Sequence, residues 1–325
     1  MRAARIHGYG GPEVLRVEEA PRPVPGPRDV LIEVKAASVN PVDCKMRSGY
    51  MRGFLRFSLP VVMGLDLSGV VVEVGAKCAR LKVGDEVYAS PHPTQIGTYA
   101  EFAVVAERHV GLKPSNLTHV EAAGIPLAGL TAWDCLEGLR AGERILILAG
   151  SGGVGTLAIQ LAKERGAEVI TTCSARNAEL VRGLGADQVI DYTQQDFGEV
   201  VSGLDRVLDA LGDWGACRRV LRRGGRLCTI VSGLPTAAQR YGPYLGPLAV
   251  AGNLLGFQVS SLFAGVRVSN VLRRPSAENL DQLRERIEAG TLRPVVDRVF
   301  PLEEIEAAHR YSESGRARGK ICVEI

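Results

Sequence analysis

RILILAGSGGVGTLAIQLAKERGAEVITTC, residues 144–173, decides the fold. RILILAG (144–150) reads as a strand buried on both faces. GVGTLAIQLAKERG (153–166) reads as a helix stopped by Gly166, and EVITTC (168–173) as a second strand. Between the first strand and the helix lies Gly150-Ser151-Gly152-Gly153-Val154-Gly155, in which glycines 150, 152 and 155 satisfy G-x-G-x-x-G. Alone the pattern is weak; after a strand and at the opening of a helix it is specific. Glycine lets the backbone turn tightly and approach a pyrophosphate, and the free N–H groups of the helix N-terminus attract the anion. The competing reading is a glycine-rich turn in some other α/β fold.

Downstream, strands and helices alternate. NAELVRGLG (177–185) is helical, QVID (188–191) a strand, DRVLDAL (205–211) a strand, 213–222 a helix and GRLCTIVS (225–232) a strand. Such alternation predicts a parallel, doubly wound sheet. Upstream, THVEAAGIPLAGLTAWDCLEGL (118–139) reads as a helix interrupted by Pro126, opened by Thr118 with Glu121 at capping-box spacing. Residues 1–120 are β-rich, with short strands at 30–36, 69–74, 86–88 and 101–105 between Pro/Gly-rich turns, which suggests a small barrel. After the Rossmann pattern, 277–292 and 302–314 read as amphipathic helices and 319–325 as a last strand. The expected division is 1–120, 121–262 and a segment, 263–325, that returns to the first domain.

The second strand of the nucleotide motif ends TTCSARN (171–177). NAD sites place a carboxylate near this tip to bind the ribose 2′-hydroxyl. Here Ser174 and Arg176 stand instead, a hydroxyl and a guanidinium suited to a 2′-phosphate. NADPH is the expected cofactor, with Tyr192 flanking the adenosine end. The bland reading of Arg176 is a solvated helix-start residue.

Composition sets outer bounds. The 325 residues are 46% hydrophobic and 23% charged, enough for a sizeable core. Net charge is +3, and the short arginine runs lack aromatic neighbours, so no nucleic-acid partner is expected. Seven scattered cysteines without C-x-x-C, and no leader-like N-terminus, suggest a reducing, cytoplasmic setting. Residues 241–266 carry no charge, but prolines, glycines, Asn253 and Gln258 interrupt them. A buried loop and strand is expected there, rather than an integral membrane span, with peripheral membrane contact as the minor alternative.

The chain resembles the zinc-independent quinone oxidoreductase branch of the medium-chain dehydrogenase/reductase superfamily. SVNPVDCKMRSGY (38–50), GLDLSGVVVEVG (64–75), GTYAEF (97–102), PLAGLTAW (126–133), LAGSGGVGTLAIQLAK (148–163) and RGKICVEI (318–325) carry the likeness, which spans nearly the whole chain. The resemblance implies an α/β protein: a GroES-like β-barrel catalytic domain plus a doubly wound Rossmann domain, with the active site in a cleft between them. Zinc-using members hold their catalytic metal through Cys, His and Cys. Asn40, Leu65 and Ala128 stand at those positions here and supply neither thiolate nor imidazole. No metal is therefore expected, and the acceptor must already be electrophilic: an apolar quinone or α,β-unsaturated carbonyl.

Candidate catalytic groups are Asn40, donating to ribose or acceptor, Lys45, stabilising developing negative charge on the acceptor oxygen, and Tyr50. Bland readings stand beside the first two: a turn residue before Pro41 and a solvated lysine. Where other branch members carry tyrosines, this chain has Lys45 and Met51. Asp43 is read as structural, as are the thiols of Cys44 and Cys173. Thr131, Gly212, Ser232 and Lys320 are expected to line the cofactor rim. A non-catalytic NADPH-binding scaffold, and an enoyl reductase acting on carrier-bound acyl chains, are the alternative functions. Some branch members are homodimers through the Rossmann sheet edge and others monomers; GFQVSS (256–261) is the expected pairing strand.

Overall fold

The structure, a computed structural model, describes residues 1–53, 55–231, 234–271 and 273–325. It has two compact units, Met1–Leu130 with Arg274–Ile325, and Thr131–Arg273, divided within a helix rather than at the expected 120 and 262.

The first unit begins with β1 (Arg2–Ile6), β2 (Leu15–Glu19), β3 (Asp29–Val39), α1 (Pro41–Arg47), β4 (Val61–Val62), β5 (Leu67–Val74), β6 (Glu86–Ala89), β7 (Phe102–Ala106), β8 (Val110–Leu112) and α2 (His119–Ala123). α3 (Pro126–Cys135) follows and contains the division. The expected capping box holds, since Glu121 N donates to Thr118 Oγ1 and Thr118 N to the Glu121 carboxylate. β3 is the spine. It pairs with β5 along one edge, and with β7 through Asp29–Glu33 and β16 through Ala36–Val39 on the other. Register shifts at Leu31/Ile32 and Val34/Ala36 bend it, as bulges that curl sheets do. Val30, Ile32 and Val34 serve one core, Ala37 and Val39 a second.

The second unit holds β9 (Arg144–Ile147), α4 (Gly153–Glu164), β10 (Glu168–Cys173), α5 (Ala178–Gly183), β11 (Gln188–Asp191), α6 (Phe197–Val200), β12 (Leu204–Asp209), α7 (Trp214–Val220), β13 (Leu221–Thr229), α8 (Leu234–Phe263) and β14 (Arg267–Asn270). Its six strands are all parallel, in the order β11-β10-β9-β12-β13-β14. That is the doubly wound Rossmann order, with its switch point between β9 and β12. Ile145, Leu146 and Ile147 are fully buried in succession, as a strand covered on both faces requires. The chain then returns to the first unit through α9 (Ala277–Glu288), β15 (Val296–Pro301), α10 (Ile305–Glu313) and β16 (Lys320–Glu324).

One expectation fails. Residues 241–266, expected as buried loop and strand, are mostly helix, and GFQVSS, the expected pairing strand, lies inside α8. The sheet edge on that side is β14. α8 is broken once, at Gly242, whose φ of 78° no ordinary residue favours. Pro243 and Pro247 read as breakers in the sequence; Pro243 stands at the start of the second helical run, where a backbone N–H has no intrahelical partner to lose, and Pro247 lies one turn further on, within the helix. Among the described residues one helix, Tyr244–Phe263, is long and apolar enough by length and composition to cross a membrane.

Candidate active site

β9 delivers the chain to the glycine turn. Gly150 N donates to Thr172 O at 2.9 Å and Ala149 N to Thr172 Oγ1 at 3.1 Å, so β10 holds the loop from beneath. Ala149 takes a left-handed φ of 55° to start the turn. A side chain on Gly150 would place its Cβ 1.9 Å from Thr171 Oγ1, and one on Gly155 2.5 Å from Ala149 O. Those two positions admit only glycine without moving strand or turn. α4 then begins with Gly153, Val154 and Gly155 in its first turn, with the free N–H groups of a helix N-terminus, the anion cradle expected there.

At the carboxyl ends of β10 and β11, Tyr192 N donates to Cys173 O, which brings exposed Tyr192 to the tip that carries half-buried Ser174 and exposed Arg176. Asp191, on the neighbouring tip, spends its carboxylate on Thr193 N and Oγ1. Gly212 follows β12 with φ 91°, its N–H held by Asp209. Thr131 is buried in α3. Ser232 lies outside the described residues. Sequence reasoning misses Asn177: its Nδ2 donates to Ser151 Oγ at 3.0 Å and its buried Oδ1 has no partner. It fastens the glycine loop to the TTCSARN tip. Its signal is its place as the last residue of that tip, which a reading for charge alone passes over.

A second cluster lies in the first unit. The antiparallel register that sets Ile321 opposite Val39 brings Lys320 beside Asn40. The Lys320 ammonium donates to Asn40 Oδ1 and lies 3.4 Å from Asp66 Oδ2. Asp66 Oδ2 also accepts from Ser38 Oγ at 2.7 Å and Asn40 Nδ2 at 2.9 Å, and its Oδ1 from Leu127 N at 2.8 Å. Asp43 Oδ2 accepts from Asn40 N at 2.8 Å and Tyr99 Oη at 3.0 Å, while buried Oδ1 has no partner. Burial above all, with the Asp66 charge adding to it, pushes the Asp43 carboxyl up to about 7, despite the opposing Asn40 N–H. The two carboxylates differ in setting: Asp66 lies beside the Lys320 ammonium, and Asp43 takes up a proton as the pH falls through about 7.

This cluster brings two expected site residues together. Lys320, expected at the cofactor rim, is buried, with its ammonium bound to Asn40 and Asp66. Asn40, expected to donate to ribose or acceptor, is buried, with its amide directed at Asp66, Asp43 and Ser38 O. Their meeting rests on non-local pairing that one position's residue type does not reveal. Leu65 and Ala128 are buried apolar neighbours in sequence of Asp66 and Leu127.

Lys45, on α1, is different. Its side chain is half-buried, its ammonium has no hydrogen bond or ion pair among the described residues, and burial lowers its pKa. Tyr50, half-buried, follows just after α1. The Cys44 thiol is pushed up to about 12 by burial and lies 3.5 Å from His309 Nδ1; burial also raises Cys173. Raised thiols fit the structural reading of both cysteines.

A glycine cradle at the switch point of a parallel sheet, in a chain that also carries a β-rich unit with a buried Lys–Asp–Asn cluster, defines a nucleotide-dependent oxidoreductase fold. Residues 26–115 match the alcohol dehydrogenase GroES-like domain family and 184–323 the zinc-binding dehydrogenase family. The chain belongs to the medium-chain dehydrogenase/reductase superfamily. It is 37% identical to the mitochondrial NAD(P)H oxidoreductase RTN4IP1 of Mus musculus, over 100% of this chain and 89% of the relative. It is 36% identical to the chloroplastic NADPH-dependent alkenal/one oxidoreductase of Arabidopsis thaliana, over 99% of this chain and 79% of the relative. The solved quinone oxidoreductase from Coxiella burnetii superposes with a TM-score of 0.88 at 31% identity, covering 100% of this chain and 99% of that one.

Proposed function

We infer that this protein is an NADPH-dependent oxidoreductase that reduces a quinone or an α,β-unsaturated carbonyl. The carrying observation is the glycine cradle, which a Cβ would fill, joined through Asn177 to a strand tip whose polar groups are Ser174 and Arg176. The relatives named for NADPH, alkenals and quinones support the same reading.

NADPH, when bound, supplies the hydride. Gly150, Ser151, Gly152, Gly153, Val154 and Gly155 hold the pyrophosphate, Ser174 and Arg176 the 2′-phosphate, and Tyr192 flanks the adenosine. Thr131, Gly212 and Ser232 belong to the rim. In the first unit Lys45 presents its unpaired ammonium to the acceptor oxygen as negative charge develops there, and Tyr50 lines the acceptor. Asn40 and Lys320 act as positioning residues that fix the start of α1. The reaction is zinc-independent in this reading. Asn40, Leu65 and Ala128 lack metal-binding side chains, and the Lys320 ammonium already supplies a buried positive charge beside Asp66. The seven free cysteines support a reducing compartment, and we assign the chain to the cytoplasm.

The test is NADPH oxidation by chelator-treated protein with benzoquinone, phenanthrenequinone and short alkenals as acceptors. Turnover with at least one acceptor is expected, and Arg176→Asp should move the NADPH/NADH preference toward NADH by about tenfold or more, the scale of a charged hydrogen bond. An unchanged ratio overturns the cofactor assignment, and loss of turnover on chelation overturns the zinc-free one. Tight NADPH binding without turnover points to a scaffold.

A further inference from the structure

α8 is apolar on two opposite faces, and only one of them is accounted for. On one side Phe257 packs against Trp214 of α7, ring centroids 5.4 Å apart, and Ser261 is fully buried. On the other side Leu245, Leu248, Leu255 and Leu262 are 62–68% exposed, and Phe263 is 86% exposed. At 3.6 residues per turn these five fall within an arc of about 100°. A soluble helix ordinarily turns charge toward water; 241–266 has none to turn.

Charge lies along the flanks instead. Arg218 stacks 5.2 Å from the Phe257 ring and donates to Ser260 Oγ at 3.1 Å. Arg240 sits over the Tyr241 ring at the start of the helix, and Arg223 lies beside Gly265 at its end. From 214 to 277 the sequence contains nine arginines and no Asp, Glu or Lys. A leucine stripe in an arginine-rich segment without acids is complementary to an anionic phospholipid surface. We propose that α8 docks this protein on such a surface, lying in the interfacial plane with its leucine stripe toward the acyl chains.

The same features select among occupants. A spanning helix would be free on all sides, whereas α8 keeps one face on α7 and is flanked by Arg218. A second copy of the chain would set two acid-free, arginine-rich segments against each other and gain no charge complement. The proposal stands apart from the catalytic reading.

Co-sedimentation of the full chain with vesicles of phosphatidylcholine alone, and of phosphatidylcholine mixed with phosphatidylglycerol, tests it. Binding only to the anionic vesicles, weakened by high salt, is expected. Arg240→Gln should weaken binding about fivefold, and Leu248→Ser with Leu255→Ser on the order of tenfold or more. Thermal melts of each variant, expected unchanged because these side chains are exposed, separate docking from folding. No binding to anionic vesicles, or equal binding to neutral ones, overturns the proposal. Self-association that Leu255→Asp abolishes, without vesicle binding, reassigns the stripe to a second copy and overturns it too.

Discussion

Lys320→Met removes the ammonium beside the Asp66 carboxylate, its one cationic partner among the described residues. Asp66 is fully buried, and its remaining partners are a hydroxyl, two N–H groups and no positive charge. Breaking a buried pair from one side costs about 3–5 kcal/mol, because the stranded charge stays desolvated. For a unit of this size that is a fall in melting temperature of roughly 6–20 °C, at about 2–4 °C per kcal/mol. The pairing account makes a sharper demand than the loss itself. Asp66→Asn added to Lys320→Met should recover most of the stability. In that double variant the Asn40 amide is no longer tied by its Oδ1 to an ammonium. It can flip and accept from the carboxamide introduced at position 66, while Leu127 N keeps a carbonyl oxygen. Urea and thermal unfolding of the two single variants and the double variant give the coupling energy. A Lys320→Met loss below about 1 kcal/mol, the range of exposed pairs, or a double variant no more stable than Lys320→Met, would refute the reasoning.

Two further outcomes follow from the same unit. Lys45→Met should lower kcat by about 100-fold, the scale of one lost donor to a developing oxyanion, with NADPH affinity unchanged; wild-type kcat should fall as pH rises through the lowered lysine pKa, and an unaltered kcat removes Lys45 from the chemistry. Asp43 sits at about 7 in the folded chain against a usual 3.8, so the folded state binds the extra proton between those values. Its contribution is present below about pH 4, is lost at about 1.4 kcal/mol per unit up to about pH 7, and is flat above. Stability of wild type relative to Asp43→Asn should trace that slope in urea titrations; a pH-independent difference shows that Asp43 is ionised throughout.

How legible the molecule was depended on the range of the interaction. Residues 144–173 announced themselves because every determinant is local: three buried strand residues, glycines that a side chain would drive into Thr171 or Ala149, and a helix that opens on them. The capping box at Thr118 is equally local. α8 was illegible because the usual cue is contrast between faces, and its residues 241–263, which carry no charge, offer none. Lys320 and Asp66 are 254 residues apart in the chain, and the β16–β3 and β3–β5 pairings together make them neighbours.

The two lysines show what that register changes. By sequence Lys45 and Lys320 are both solvent-compatible cations near motifs, and each points outward, to acceptor and to cofactor. Folding separates them by partner. Lys320 gains Asn40 and Asp66, so its charge is spent in stabilising a buried carboxylate and anchoring the residue that precedes α1. Lys45, five residues after Asn40 on that same helix, loses water and has no anion beside its ammonium among the described residues. A paired ammonium responds weakly to new negative charge, because its field is already answered; an unpaired, half-desolvated one responds strongly. On the proposed reading, Lys320 governs stability and Lys45 governs rate. Lys320→Met paired with Asp66→Asn should lower kcat much less than Lys45→Met does, a contrast that residue type alone does not contain.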